Sequence, residues 1–429
     1  MSSTIHLLPL ADPPPPNERG RLAGPERPVL PPPRARDLCT DCGLSRTALA
    51  DRCGRVCQFT RPDYDALERR VHGRVADPAR PDEAHFGPIA EMRRARLATA
   101  RPGAQWSGIT TRIAERLLET GRVDAVLATA SDPEDRWAPQ PVIVTRAEDM
   151  SACRGMKMGF SPVLGLLERV RAMGWRRIAM IGVSCQVHAL RGIERELGLE
   201  ALYVLGTPCS DNTWTDHFHH FLSLVTQRPD DVTYLEFRPD YCVELRYRDG
   251  RVELIPFLAL PIASLPDDFF PLTCRSCVDY VNRLADLTIG YLAADGDQWL
   301  IVRNERGREL LELVADELVE TPLVSFGRRA APVSGFQKNL DRRAQGLAVK
   351  RAPKLLRPVI HRLQRRFGPR GLEFARARIE MKLLEGIDAL RKEAPRRVRT
   401  MVPRYAWGLV APYGVAPRAH EHETVPRRR

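Results

Sequence analysis

The sequence predicts an α/β chain, α+β overall. It reads as a central, mainly parallel sheet with helices, behind a cysteine-rich N-terminal segment and ahead of an antiparallel strand region and a C-terminal helical appendix. Three observations predict this. Between about 86 and 230, short β-branched runs alternate with stretches of helical apolar spacing, the pattern of strand–helix–strand crossovers. From 232 the apolar period drops to two. Beyond 330 helical spacing returns among many basic residues.

Residues 1–36 hold ten prolines, among them Pro13–Pro16 and Pro31–Pro33. Proline lacks an amide donor and interrupts helices, so a disordered leader is expected, with structure beginning near Asp37. Residues 37–85 form the cysteine-bearing segment. Within 86–327, WSGITTRIAERLLETG (106–121) reads as a helix with a glycine stop, and VDAVLAT (123–129) and PVIVT (141–145) as strands. SPVLGLLERVRAMG (161–174) reads as a helix capped by Ser161, with Pro162 at its first position. RIAMIGV (177–183) and ALYVLGT (201–207) are buried strands, and CQVHALRGIERELG (185–198) and TDHFHHFLSLVTQ (215–227) helices. VTYLEFRPD (232–240), CVELRYRDG (242–250) and RVELIPF (251–257) alternate apolar and polar residues, an antiparallel meander. DLTIGYL (286–292) and QWLIVRN (298–304) add strands and RELLELVADEL (308–318) a helix. In the extension 328–429, a long helix over 372–393 aligns Leu372, Ala375, Ile379, Leu383, Ile387 and Leu390 in a stripe that packs on this chain or on a partner subunit.

A chain of 429 residues with 43% hydrophobic and 28% charged residues fits two or three globular domains. No apolar run approaches the ~20 residues that span a bilayer, and no secretory signal is visible, so the cytoplasm is expected. Structural disulfides are rare there, and ten cysteines then point to metal or redox work. The net charge of +12 is uneven: residues 328–429 carry 26 Lys/Arg against 8 Asp/Glu. That excess suits a solvated face, an acidic protein or an anionic membrane surface; alone it is a weak nucleic-acid signal.

Cys39, Cys42, Cys53 and Cys57 have the spacing C-x2-C-x10-C-x3-C; Cys185, Cys209, Cys274 and Cys277 are spread out. Spacing leaves tetrahedral zinc and an iron–sulfur cluster both open. Cys185 and Cys209 each follow a buried strand, where an open α/β sheet keeps its ligand crevice, which suits a cofactor site better than a structural zinc knuckle. Cys242, in mid-strand, reads as a small core residue, and Cys153 likewise.

The segments AQWSGITTRIAERLL, SDPEDRWAPQPVIV, RGMKMGFSPVLGLL, GVSCQVHALR, GTPCSDN, TYLEFRPDY and CRSCVDYVNRLADLTIGY, in this order, resemble the family containing the β subunit of deazaflavin-dependent hydrogenases. Within it the chain is most similar to the ferredoxin-dependent branch that reduces the 8-vinyl group of divinyl (proto)chlorophyllide. It is also similar to 7-hydroxymethyl chlorophyll a reductase. GPRGLEFARARIEMK and MVPRYAWGLVAPYG look closer to the vinyl-reducing branch. The resemblance implies FAD and two 4Fe-4S clusters, reduced ferredoxin as donor, a divinyl protochlorophyllide or chlorophyllide as substrate, and an oxidoreductase acting on a CH–CH group in (bacterio)chlorophyll biosynthesis. It implies no nucleic acid, and it leaves room for a homo-oligomer and for peripheral association with the photosynthetic membrane. Reduction of a 7-hydroxymethyl group, or service as an electron-transfer β subunit, are the alternatives. Carried over by motif, Cys39, Cys42 and Cys57 match N-terminal ligands, and Cys185, Cys209, Cys274 and Cys277 a second set. The family's further N-terminal cysteine falls at Ser45 here, and Cys53 is expected to supply the missing thiolate.

No GxGxxG occurs, so FAD has no Rossmann fingerprint to bind. Lys157, Ser161 and the helix after it are the candidates for its pyrophosphate. Trp106 and Ser107, opening a helix, and Asp132, in the polar loop SDPEDRW, are further cofactor-binding candidates. Asp211, His188 and His217 are candidates for the proton source, each equally readable as structural. HFHH (217–220) has no partner motif that would make it a metal site.

Overall fold

The computed structural model describes residues 21–33, 38–290 and 296–422. Its strands are β1 (Glu91–Leu97), β2 (Ala125–Ser131), β3 (Pro139–Val144), β4 (Arg177–Gly182), β5 (Ala201–Gly206), β6 (Val232–Phe237), β7 (Cys242–Tyr247), β8 (Val252–Pro256), β9 (Leu287–Gly290), β10 (Gln298–Val302) and β11 (Leu318–Glu320). Eight of them form one sheet in the order β11-β1-β10-β9-β5-β4-β2-β3, while β6–β8 form the separate antiparallel meander that the period-two pattern predicts. β9, β5, β4 and β2 are parallel neighbours. The flanking pairs are antiparallel. The sheet is therefore parallel at its centre, with its ligand edge at the C-terminal ends of those four strands.

The central strands are apolar almost throughout because both faces are covered. On β2, Ala125 and Leu127 enter one core, Val126, Ala128 and Ala130 the other. The helices are α1 (Cys53–Val56), α2 (Tyr64–His72), α3 (Pro81–Phe86), α4 (Ile109–Glu119), α5 (Leu167–Ala172), α6 (Ser184–Ile193), α7 (Thr215–Val225), α8 (Leu272–Arg275), α9 (Glu305–Glu312), α10 (Ala330–Ala344), α11 (Arg357–Phe367), α12 (Leu372–Glu393), α13 (Val398–Met401) and α14 (Arg404–Val410). α4 and α9 cover one face. α2, α5, α6 and α12–α14 cover the other.

Two expectations need correction. Order begins before Asp37: Glu26 exchanges both backbone hydrogen bonds with Ile143 of the edge strand β3 (2.9 and 3.0 Å), and its carboxylate pairs with Arg169. Prolines in 21–33 do not prevent this, because an edge strand asks little of its neighbour's amides; residues 1–20 lie outside the described residues. Ser161 caps no helix. Its hydroxyl accepts from Thr129 (2.9 Å), and the amide of Leu164 is drawn to the Cys42 carbonyl (2.9 Å). The chain therefore makes a tight 3-10 turn over Val163–Leu166 before α5 starts. The extension is helical as expected, and the stripe on α12 takes the first of its two alternatives: all six of its residues are buried in this chain's own core, with one face of the sheet.

Candidate functional site

The first cysteine group lies in a loop laid across the sheet's crevice. Leu38 and Asp41 have positive φ, and Gly43 sits at φ 99°, where a Cβ would meet the Pro162 carbonyl oxygen at 2.3 Å. Only glycine allows this approach, and it brings Cys42 onto the 162–165 turn. α1 then crosses α6 at Gly192, whose missing side chain makes room for Val56. The Val56 carbonyl accepts a hydrogen bond from His188 (2.9 Å).

The second group is assembled by strand ends. Cys185 opens α6 directly after β4, and Cys209 follows β5. The segment after α8 ties them together: Ser184 donates to the Asp279 carbonyl (2.6 Å), and the Cys209 amide donates to the Tyr280 carbonyl (2.9 Å). Cys274 and Cys277 arrive on that segment, and Gln58, from the first group's loop, donates to the Cys277 sulfur (3.3 Å).

Electrostatics shows which thiols are neighbours. Burial pushes Cys42 well above the usual thiol range, against a hydrogen bond from the Leu44 amide, and Cys185, Cys57 and Cys53 push it further. Burial raises Cys57 too, with Cys39 adding to it. Burial raises Cys185, with Cys277, Cys274 and Cys57 beside it and a hydrogen bond from the Thr40 side chain opposing. Cys209 is raised well above its usual value by burial, then by Cys274, Cys185 and Cys277. Cys274 is pushed up to about 12, chiefly by burial. All eight are free thiols. They make two groups that adjoin through Cys185, Cys42 and Cys57, with Cys53 among the first. Ser45 is buried in the same loop.

The donor set is thiol throughout: Cys53 and Cys274 are buried, Cys39 is exposed and the other five are partly buried, and those with raised pKa values are costly to ionise unless a cation supplies the compensating charge. Such thiols are unlike the low-pKa cysteine of a reactive site, and a set of soft donors of this kind suits zinc or an iron–sulfur cluster. Among the described residues, no three His, Cys, Asp or Glu side chains are arranged to hold a single metal ion.

The structure supplies one buried cation that sequence reasoning missed. Lys382, on α12, is 4% exposed and donates to Asp211 Oδ1 and to the Cys274 carbonyl, both at 2.7 Å. Burial opposes its charge, but Asp211 and Cys277 overcome that and raise its pKa. Within an apolar heptad pattern a single lysine looks like a surface residue. Its burial became visible only once α12 was seen crossing the crevice.

The flavin candidates lie along one rim. Loop 101–108 meets loop 153–155, where Arg154 donates to the Pro102 carbonyl (3.1 Å). Loop 131–138 meets loop 156–159 through Met158 N–H and the Trp137 carbonyl (2.9 Å). Asn212 accepts from the Gly159 amide (3.1 Å), and the backbone at Asn212 hydrogen-bonds Cys274, so the rim runs into the second cysteine group. Ser107 donates to Gln298 (3.2 Å), and Trp106 is held at φ 49°. Asp132 accepts from the Glu134 amide and from Gln140. Lys157 spends its amine on the carbonyls of Cys153, Arg154 and Gly155 (2.6–3.2 Å). Burial, with Arg136 adding to it and Cys153 opposing, lowers its pKa to about 8. Two neighbouring cations and the glycines of this rim, Gly103, Gly108, Gly155 and Gly159, all at positive φ, suit a pyrophosphate. Phe160 and Trp214 meet edge to face (4.7 Å), with half of Trp214 exposed, offering an apolar surface beside them. Arg136 belongs to the loop SDPEDRW that the sequence singles out, whereas Trp214 falls between the segments GTPCSDN and TDHFHHFLSLVTQ and carries no signal of its own.

Of the proton candidates, Asp211 is paired with Lys382 in the crevice. His188 is held in the core, its pKa lowered to about 4 by burial. His217 stacks on Phe269 (5.8 Å). Cys242 is a buried residue of β7, and burial raises Cys153 to about 11.

Comparison with known proteins adds a family. Residues 92–168 match the model "coenzyme F420 hydrogenase/dehydrogenase, beta subunit N-term", and residues 175–324 its C-terminal counterpart. The chain is 38% identical to 7-hydroxymethyl chlorophyll a reductase of rice, covering 88% of this chain and 83% of that one. It is 37% identical to an uncharacterized protein of Nostoc, covering 88% and 94%. It is 29% identical to a component of the F420H2 dehydrogenase of Methanosarcina mazei, covering 50% and 60%. A chain of the F420-reducing [NiFe] hydrogenase complex of Methanosarcina barkeri aligns with a TM-score of 0.49 and 23% identity over 56% of this chain and 84% of that one.

Proposed function

This chain belongs to the family of coenzyme F420 hydrogenase/dehydrogenase β subunits, and within it we propose an iron–sulfur flavoprotein that reduces the 8-vinyl group of divinyl (proto)chlorophyllide to ethyl, with reduced ferredoxin as donor. The observation that carries the redox reading is the pair of adjoining thiol groups at the ligand edge of the sheet. Cys39, Cys42, Cys53 and Cys57 would hold one 4Fe-4S cluster, and Cys185, Cys209, Cys274 and Cys277 the other. The rim bearing Trp106, Ser107, Asp132, Arg136, Lys157 and Ser161 would hold FAD, with Trp214 and Phe160 beside it.

Bound clusters and FAD supply a path that takes single electrons and delivers a pair; addition of two electrons and two protons turns vinyl into ethyl. The chain's own residues do the remaining work. They bury Cys53 and Cys274 and partly cover the other thiols except Cys39, and Lys382 holds positive charge against the second group. Arg136 and Lys157 give the rim positive charge that would attract an anion, with Lys157's own donors turned to the carbonyls of Cys153, Arg154 and Gly155. Among the described residues, no helix is long and apolar enough to cross a membrane.

The rice relative favours a second reading, in which the substrate is a 7-hydroxymethyl group and the same two electrons and two protons give methyl and water. One experiment separates them. Purified holoprotein, with iron and flavin quantified, is given reduced ferredoxin anaerobically with either divinyl chlorophyllide or 7-hydroxymethyl chlorophyll. A product two hydrogens heavier from the first supports vinyl reduction. Loss of the hydroxyl oxygen from the second alone replaces it. No turnover of either by fully loaded protein points to a role in electron transfer between partners.

A further inference from the structure

The most basic stretch of the chain also carries its most exposed apolar face. Between Asp341 and Glu373 there is no acidic residue, while Lys350, Arg351, Lys354, Arg357, Arg362, Arg365, Arg366 and Arg370 all fall there. Through this stretch runs α11. Its inner face holds the partly buried Ile360, His361 and Gln364, with His361 Nε2 3.7 Å from the Cys242 sulfur on β7. Another face, with the 3-10 turn before it, presents Leu355, Leu356, Val359, Leu363 and Phe367, each more than half exposed. Spacing of three and four places these on one stripe, and Arg362, Arg365 and Arg366 fall along its flank.

Five large apolar side chains exposed together, two on the turn and three on the short helix after it, are not the scattered singles of an ordinary surface. A helix with a lipophilic stripe, a cationic flank and its third face fixed to the protein has the build of an interfacial helix. We propose that α11 and the turn before it seat this chain on an anionic lipid bilayer, the stripe entering the headgroup boundary and the arginines meeting the phosphates. An acidic protein partner would satisfy the arginines and leave the stripe wet. A second copy related by a two-fold axis would set one basic flank against the other. This inference rests on the helix alone and is independent of the reaction assigned above.

The test is co-sedimentation of the full-length holoprotein with vesicles of phosphatidylcholine, alone or mixed with phosphatidylglycerol, at low and high salt. Binding to the mixed vesicles, at least about tenfold stronger than to phosphatidylcholine and weakened by salt, is expected. Val359→Glu with Leu363→Glu lowers it by about tenfold or more, with circular dichroism, iron content and oligomeric mass unchanged. Arg365→Ala lowers it roughly fivefold, the worth of one cation at such a surface. Equal binding to both vesicle types, or a double variant that binds like the parent, overturns the proposal. So does a double variant that loses only oligomeric mass, which assigns the stripe to a second copy, or only ferredoxin affinity, which assigns it to a protein.

Discussion

Cys39, Cys42, Cys53 and Cys57 are gathered by a loop, whereas Cys185, Cys209, Cys274 and Cys277 are gathered by a sheet. The loop depends on three residues at positive φ, Leu38, Asp41 and Gly43, the last pressed against the 162–165 turn. The sheet group depends on the ends of β4 and β5 and on Asn282, which donates to the Gly182 carbonyl (2.8 Å) and packs where Gly206 has no side chain. Charge separates them as well. The loop carries the Arg46–Asp41 pair, partly exposed at 15% and 25%. The sheet group faces Lys382 and Asp211, at 3% and 12%. A loop site tolerates a ligand displaced along the chain, since its backbone can be redrawn locally; a strand-end site does not.

The largest effect should come from the displaced ligand. Cys53→Ala should cut iron per chain by half, with the loss confined to the N-terminal centre. Adding Ser45→Cys should restore much of it, because position 45 lies in the same buried loop. The measurement is iron content and the electron paramagnetic resonance of the reduced protein. Full iron in Cys53→Ala together with loss in Ser45→Ala would make the serine oxygen the ligand.

Next is the charge contrast. Lys382→Met strands Asp211 in the crevice and should cost roughly 3–5 kcal/mol in urea unfolding, the range for breaking a buried pair. Pairing it with Asp211→Asn should recover most of that loss. Arg46→Met, at the more exposed pair, should cost about 1 kcal/mol or less. Equal costs at the two sites would mean that burial does not distinguish them.

How much of this the sequence revealed follows the same division. Cysteine spacing within 39–57 is local and visible in one dimension. The strands β2, β4 and β5 announce themselves because two-sided burial makes them apolar throughout. β1 carries no such signal: it reads Glu-Met-Arg-Arg-Ala-Arg-Leu, and Arg93 and Arg94 pair with Glu320 and Asp297, which no pattern links to it. Lys382 is hidden for the same reason, its partners lying on a loop and a helix far away in the chain. Ser161 had every local mark of a cap, yet Thr129 claims its hydroxyl. Tertiary partners overrode local preference at each of these positions.

The two groups are clamped together by α2, and that clamp gives the most graded effect. Glu68 forms a buried ion pair with Arg283 (2.9 Å), beside the segment that carries Cys274 and Cys277. His72 Nε2 donates to the Arg283 carbonyl (2.9 Å), and its Nδ1 accepts from Asn304 (3.2 Å). Both ring nitrogens are thus matched to a neutral imidazole. Burial first, then Arg303, lowers its pKa to about 3, with Arg191 adding to this and Asp286 and the Arg283 carbonyl opposing. In the unfolded chain it titrates near 6.5. Between those values the unfolded state binds a proton that the folded state refuses. The stabilising contribution is therefore complete above about pH 6.5 and falls by up to about 1.4 kcal/mol per pH unit below it. His72→Gln, which keeps a side-chain donor but cannot titrate, should lose that limb. Urea unfolding at pH 7 and pH 5 should show the parent losing about 2 kcal/mol more than the variant. Equal losses in the two proteins would mean that His72 is protonated inside the clamp, with Asn304 turned to offer its oxygen instead.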